Sequence, residues 1–182
     1  RGTKSLDPVV ADDGDGLLLK GSDSTLEVWE NNVVTGNARY PMQVMPHLMT
    51  QLGADSTYSG NGRDYLLSLA GAVGGGYTIS EGGTWSLLDV PWLIGSQLTI
   101  VGSSSPVIET TGTTLYFALD VFFTVGSTST SSEGTFIADN VMFTSAHSRP
   151  TYGDWRGVWF DDNATSDSII KNSTIAYAGK NY

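Results

Sequence analysis

The apolar residues of this chain come in short runs with a period near two, and each run is closed by Gly, Asn, Ser or Asp. Leu26-Glu27-Val28-Trp29, Tyr65-Leu66-Leu67-Ser68-Leu69, Leu98-Thr99-Ile100-Val101, Thr114-Leu115-Tyr116-Phe117 and Val121-Phe122-Phe123-Thr124-Val125 all obey this rule. A run of that length fills one face of a strand but is too short to line a helix, and the turn residues after it stop it growing. An all-β fold is therefore expected. The polar residues agree: 15% of the chain is charged, against about 25% in an average soluble domain. Gly (22 residues), Ser and Thr supply the rest, and these favour strands and turns over helices. One segment fits a turn or two of helix, Pro46-His47-Leu48-Met49-Thr50-Gln51-Leu52, which places Pro at a first helical position and ends at Gly53.

Residues 1–24 differ in composition from the rest of the chain. Asp7, Asp12, Asp13, Asp15 and Asp23 crowd a segment whose apolar runs are Val9-Val10 and Leu17-Leu18-Leu19, so it reads as an extended acidic arm before a domain of residues 25–182. Within that domain the apolar marks Ile100, Phe117, Phe143, Phe160 and Tyr177 recur in steps of equal length, except that the step from Phe117 to Phe143 is longer. Such recurrence fits stacked coils, each leaving a hydrophobic face that the next one covers. Residues 127–134 and 145–154 read as loops thrown out between strands.

The formal charge of −10 argues against nucleic acid or an anionic membrane as partner, because those surfaces are met by clustered Lys and Arg. No Cys is present, which excludes disulfides, thiolate nucleophiles and zinc or iron–sulfur centres built on thiolates. No apolar run approaches the length of about 18 residues that a membrane-spanning helix needs. Because the first residue is Arg1, any secretion leader is expected to have been removed or to lie outside this sequence.

Several runs resemble modules of secreted bacterial right-handed parallel β-helix proteins of the pectate-lyase-like superfamily. They are Ser59-Gly60-Asn61-Gly62-Arg63-Asp64-Tyr65, Gly83-Thr84-Trp85, Leu88-Asp89-Val90-Pro91-Trp92, Leu98-Thr99-Ile100 and Phe143-Thr144-Ser145, then Gly153-Asp154-Trp155-Arg156-Gly157-Val158-Trp159-Phe160 and Ile175-Ala176-Tyr177-Ala178-Gly179. The resemblance covers about residues 25–182 and implies a right-handed parallel β-helix in an extracellular or cell-surface setting. It implies no single activity, since the same coil carries lyases, glycosidases, adhesins and spacers. Where these modules usually place Glu-Pro-Gly-Thr, this chain has Glu109-Thr110-Thr111-Gly112-Thr113, which implies a looser corner.

Catalytic groupings are hard to assemble. Asp161-Asp162 are adjacent acids such as glycoside hydrolysis uses in pairs, but neighbours on a strand point to opposite faces, and a turn before Asn163 explains them better. Arg156 is the best isolated candidate for lyase chemistry; stacking on a Trp face or pairing with Asp154 is its structural alternative. His47 and His147 lie far apart with no third ligand at metal spacing. Asp12, Asp13 and Asp15 begin like a calcium loop, yet Leu17 stands where a ligand is needed and no Glu closes it. They remain a weak calcium candidate, calcium being the one cofactor the sequence suggests. Trp29 and Trp85 are expected to pack inside. Trp92 and Trp155, with Arg156, are candidates for contact with an extracellular glycan. Asn163-Ala164-Thr165 and Asn172-Ser173-Thr174 fit the glycosylation acceptor pattern.

The ends carry the functional expectation. The terminal coils of a solenoid expose unpaired backbone groups, which a cap or a neighbour must cover. The stretch Tyr177-Ala178-Gly179-Lys180-Asn181-Tyr182 offers no capping helix. Another copy of the chain is thus the expected partner, with Leu17, Leu18, Leu19, Ile175, Tyr177 and Tyr182 at the junction. The sequence reads as a non-catalytic structural subunit that assembles end to end into a filament or surface array. A glycan-binding or polysaccharide-cleaving module, or a stalk segment of a larger adhesin, is the alternative.

Overall fold

The computed structural model describes residues 14–22, 24–70, 73–128 and 131–180. Among them the protein is all-β: fifteen short strands and one 3₁₀ helix, Pro46–Gln51. The first sheet holds β1 (Leu17–Leu19), β2 (Met42–Val44), β3 (Leu66–Ser68), β6 (Trp92–Ile94), β9 (Thr114–Phe117), β12 (Met142–Ser145) and β15 (Thr174–Ile175), in that order. The second holds β4 (Gly76–Ile79), β7 (Gln97–Ile100), β10 (Phe122–Val125) and β13 (Gly157–Phe160). The third holds β5 (Gly83–Trp85), β8 (Val107–Thr111), β11 (Thr135–Asp139) and β14 (Ile169–Lys171). Every pairing between these strands is parallel. A parallel neighbour cannot be reached by a hairpin. From β3 onward the chain passes through the first, second and third sheets in turn, and each return lays a strand beside its predecessor.

Register then builds the core in columns. Leu66, Trp92, Leu115 and Phe143 are paired one above the other, as are Ser68, Ile94, Phe117 and Ser145, and all eight are buried. Leu98 and Phe123 from the second sheet and Ile108 and Phe136 from the third complete the interior. The Phe123 and Phe136 rings meet edge to face at 4.7 Å. The circuits differ in length: the first-sheet column advances from Leu66 to Trp92, Leu115, Phe143 and Ile175, and no two of these steps are equal. The equal steps from Ile100 to Phe117 and from Phe143 to Phe160 are therefore not circuits. Ile100 and Phe160 belong to the second sheet, Phe117 and Phe143 to the first.

The last three returns from the third sheet to the first are two-residue corners, each opened by one left-handed residue. Gly112, Asn140 and Asn172 sit there with φ of 70°, 56° and 52°, a left-handed conformation that Gly and Asn tolerate best. The Gly112 amide donates to the Asp139 carbonyl at 3.0 Å and the Asn140 amide to the Lys171 carbonyl at 3.1 Å. The corner after Glu109 is consequently tight, not loosened. Thr110 and Thr111 stay in the strand, and Gly112 and Thr113 make the turn, with Gly112 taking the left-handed conformation.

At the other end of the stack, the 3₁₀ helix packs on β4 and β5, the outermost strands of the second and third sheets. It buries Leu48 and Met49. Leu26–Trp29, expected as a strand, has no ladder because the layer beneath it is this helix. It is tied down by the Leu26 amide to Gln51 Oε1 at 2.6 Å and by Trp29 Nε1 to the Tyr58 hydroxyl at 2.8 Å. The described part of the acidic arm pairs with its own chain: Leu17, Leu18 and Leu19 lie beside Met42, Gln43 and Val44. That strand is thereby used within the molecule. No helix among the described residues is long and apolar enough to cross a membrane.

Candidate functional site

The strand columns end abruptly at the C-terminal side, where β13, β14 and β15 are the outermost strands of the three sheets. Val125 and Phe143 are fully buried, whereas their successors in register, Phe160 and Ile175, are 46% and 49% exposed. Tyr177 and Ile169 are exposed at the same end. Trp155 Nε1 donates to the Ala176 carbonyl at 2.8 Å and the Asp154 amide to the Tyr177 carbonyl at 3.1 Å. Lys180 Nζ lies 2.5 Å from Asp120 Oδ1. The last described segment is therefore fastened to the coil below, and its other edge has no partner strand among the described residues.

The outer face of the first sheet carries a second feature. In its N-terminal half, Leu67 and Leu93 point outward and are buried beneath Tyr40, Leu69 and Ala146, with Tyr65 and Tyr116 packed alongside. Tyr65 meets Tyr116 edge to face at 5.2 Å, and there the cover stops. Beyond Tyr116 the face opens into a groove of about 640 Å³. Its floor is formed by β9, β12 and β15, and His147, Ser148 and Pro150 from the loop after β12 form one wall.

That wall is held by Asp154. Its carboxylate accepts from the Ser145 hydroxyl at 2.7 Å, the Thr151 amide at 3.0 Å and the Thr151 hydroxyl at 2.7 Å. Burial pushes the carboxyl up, but these hydrogen bonds and the neighbouring His147 outweigh it and hold its pKa below the usual aspartate value. Ser145, His147 and Asp154 thus come together as a group that the sequence did not suggest. They do not form a nucleophilic triad. The Ser145 proton goes to Asp154, its oxygen accepts from the His147 amide at 2.9 Å, and His147 Nδ1–H donates to the Arg149 carbonyl at 2.9 Å. A serine nucleophile needs an imidazole nitrogen to take its proton, so these contacts fasten the loop.

The residues singled out from sequence are dispersed. Trp92 and Trp155 are 0% exposed and neither presents a ring to a glycan. Trp92 lies in a core column, and Trp155 turns inward from its loop to stack on Phe117 at 4.2 Å. Trp85 is buried as expected, and Trp29 is half-buried. Arg156 lies over the Phe122 ring at 5.9 Å with Nε 3.8 Å from Asp120. Asp161 begins a turn that ends at the Ala164 amide. Asp15 faces Arg39 at 3.6 Å and accepts from the Tyr40 amide; Asp12, Asp13 and Tyr182 lie outside the described residues. No cluster of three or more metal-ligating side chains is found among those described. His47 bridges the Ser24 carbonyl and the Tyr77 hydroxyl at 2.9 and 2.7 Å. The side-chain amides of both acceptor asparagines are engaged, Asn163 with the Ser127 carbonyl and Asn172 with Asp139.

Sequence reading missed the groove residues Tyr116, Met142, Thr144 and His147. The alternation Thr114-Leu115-Tyr116-Phe117 contained part of the signal, since a polar–apolar strand places Thr114 and Tyr116 on one face. Compared with protein-family models, curated proteins and solved structures, the chain has no match.

Proposed function

We propose that the chain is a right-handed parallel β-helix and an extracellular, non-catalytic structural module that joins a second copy through its C-terminal edge. Three parallel sheets taken in strict rotation support the helical reading. Right-handedness follows from the strong preference of parallel crossovers for that hand. The secreted setting rests on the resemblance of the motifs.

One observation carries the structural role: the buried columns run out into half-exposed Phe160 and Ile175 beside strand edges that have no partner strand among the described residues. Such edges pair with further strands. Covering each of these side chains contributes on the order of 1 kcal/mol. The 3₁₀ helix already covers the opposite edges of the second and third sheets, so copies that meet C-terminal edge to C-terminal edge close at two. An open filament requires that cover to move.

Light scattering over a range of concentrations tests this reading. The expected mass rises from one copy to two, and Ile175→Lys shifts it toward one copy while the far-ultraviolet strand signal is unchanged. A protein that stays monomeric at every concentration and salt overturns the assembly and leaves the edge to a further coil of a longer chain. No sugar or unsaturated uronide is expected to be released from pectate, alginate or neutral glycans, with or without calcium; turnover lost in Arg156→Ala would overturn the non-catalytic reading.

A further inference from the structure

We propose that the groove on the outer face of the first sheet binds a neutral oligosaccharide. The groove lies on the sheet face, but β15 and Tyr177 also border the open edge, so binding is measured at concentrations where the chain is monomeric. Tyr116 stands on β9 and Tyr177 just beyond β15, both lining the groove. Two strand spacings separate those strands, roughly 10 Å, the length of a disaccharide. Phenol rings bury the C–H faces of pyranoses while keeping a hydroxyl for hydrogen bonding.

Between the tyrosines lie the hydroxyls of Thr114, Thr144, Thr174 and Ser148 and the imidazole of His147. A hydroxyl both donates and accepts, and His147, with its Nδ1–H given to the Arg149 carbonyl, keeps Nε2 for a hydrogen bond to the ligand. Sugar hydroxyls match both needs. A proline-rich peptide, the other occupant that suits an aromatic groove, brings carbonyl acceptors and few donors. The groove lining contains no Asp, Glu, Lys or Arg, so a polyuronate finds no permanent counter-charge there and meets a chain of charge −10. The floor is three hydrogen-bonded strands and the wall is fixed by Asp154, so little ordering is lost on binding.

The test is titration of the full chain with cellohexaose, xylohexaose, mannohexaose and laminarihexaose, followed by calorimetry and by the Met142 methyl resonance at the groove floor. Hexagalacturonate and a proline-rich peptide serve as competitors. At least one neutral hexasaccharide is expected to give a saturable shift. Tyr116→Ala should weaken it about tenfold. Thr144→Val, which keeps the shape and removes a hydroxyl, should weaken it several-fold with an unchanged melting temperature. The proposal is overturned if no neutral oligosaccharide gives a saturable shift, if the uronide or the peptide binds as tightly as the best neutral sugar, or if both variants bind like the parent.

Discussion

Asp154 gathers three hydrogen bonds on one carboxylate, and its replacement shows what the groove wall depends on. Asp154→Ala leaves the Ser145 and Thr151 donors without their acceptor and is expected to cost about 1–3 kcal/mol, read as a lower urea midpoint with an unchanged slope. The folded carboxyl titrates below its ordinary value of 3.8. Its contribution is therefore complete above that pH and is lost as pH falls through the lower folded value. Asp154→Asn should melt with a shallower acid limb than the parent. Ser68 makes the opposite point: its buried hydroxyl has no hydrogen-bond partner among the described residues. Ser68→Ala is expected to raise stability by about 1 kcal/mol.

Among the elements, the corners and the 3₁₀ helix do the shaping. Asn140 holds the left-handed corner between β11 and β12. Asn140→Ala should cost about 1 kcal/mol, whereas Asn140→Gly should be close to neutral. The two midpoints measured side by side separate backbone strain from any side-chain contact. Leu48 anchors the helix over β4 and β5 and is fully buried. Leu48→Ala should cost about 2–5 kcal/mol and raise amide exchange in β4 and β5 before it does so in β10 and β11. A helix six residues long has no stability of its own, so its place is decided by the apolar end that it closes.

The described residues form a stack with unlike ends: the 3₁₀ helix covers the second and third sheets at one, and Phe160 and Ile175 are half-exposed at the other. Two copies joined at the open end bring together chains of charge −10 each. Added salt should therefore strengthen their association, the reverse of an interface held by ion pairs. Sedimentation at low and high ionic strength checks the sign, and a dimer that weakens with salt contradicts it.

Alternation and turn punctuation were enough to read the strand class, because period two needs only neighbouring residues. Leu98–Ile100 and Thr114–Phe117 are strands in the structure, and Pro46–Gln51 is the one helical segment among the described residues. The sequence by itself also excluded thiolate chemistry, since that depends on residue type alone. Which residues meet was decided by register. The coils differ in length and have no fixed repeat, so nothing local places Tyr116, Met142 and Thr174 around one groove. Burial behaved likewise: Trp155 comes after a Gly-Asp turn that reads as surface, yet the loop folds back and stacks its ring on Phe117. Leu26–Trp29 has a strand's pattern and no strand's pairing, because a ladder needs a partner and its neighbour in space is a helix. Composition and periodicity belong to the chain, whereas a groove, a clamp and an open edge belong to the stacking of coils that are distant in sequence.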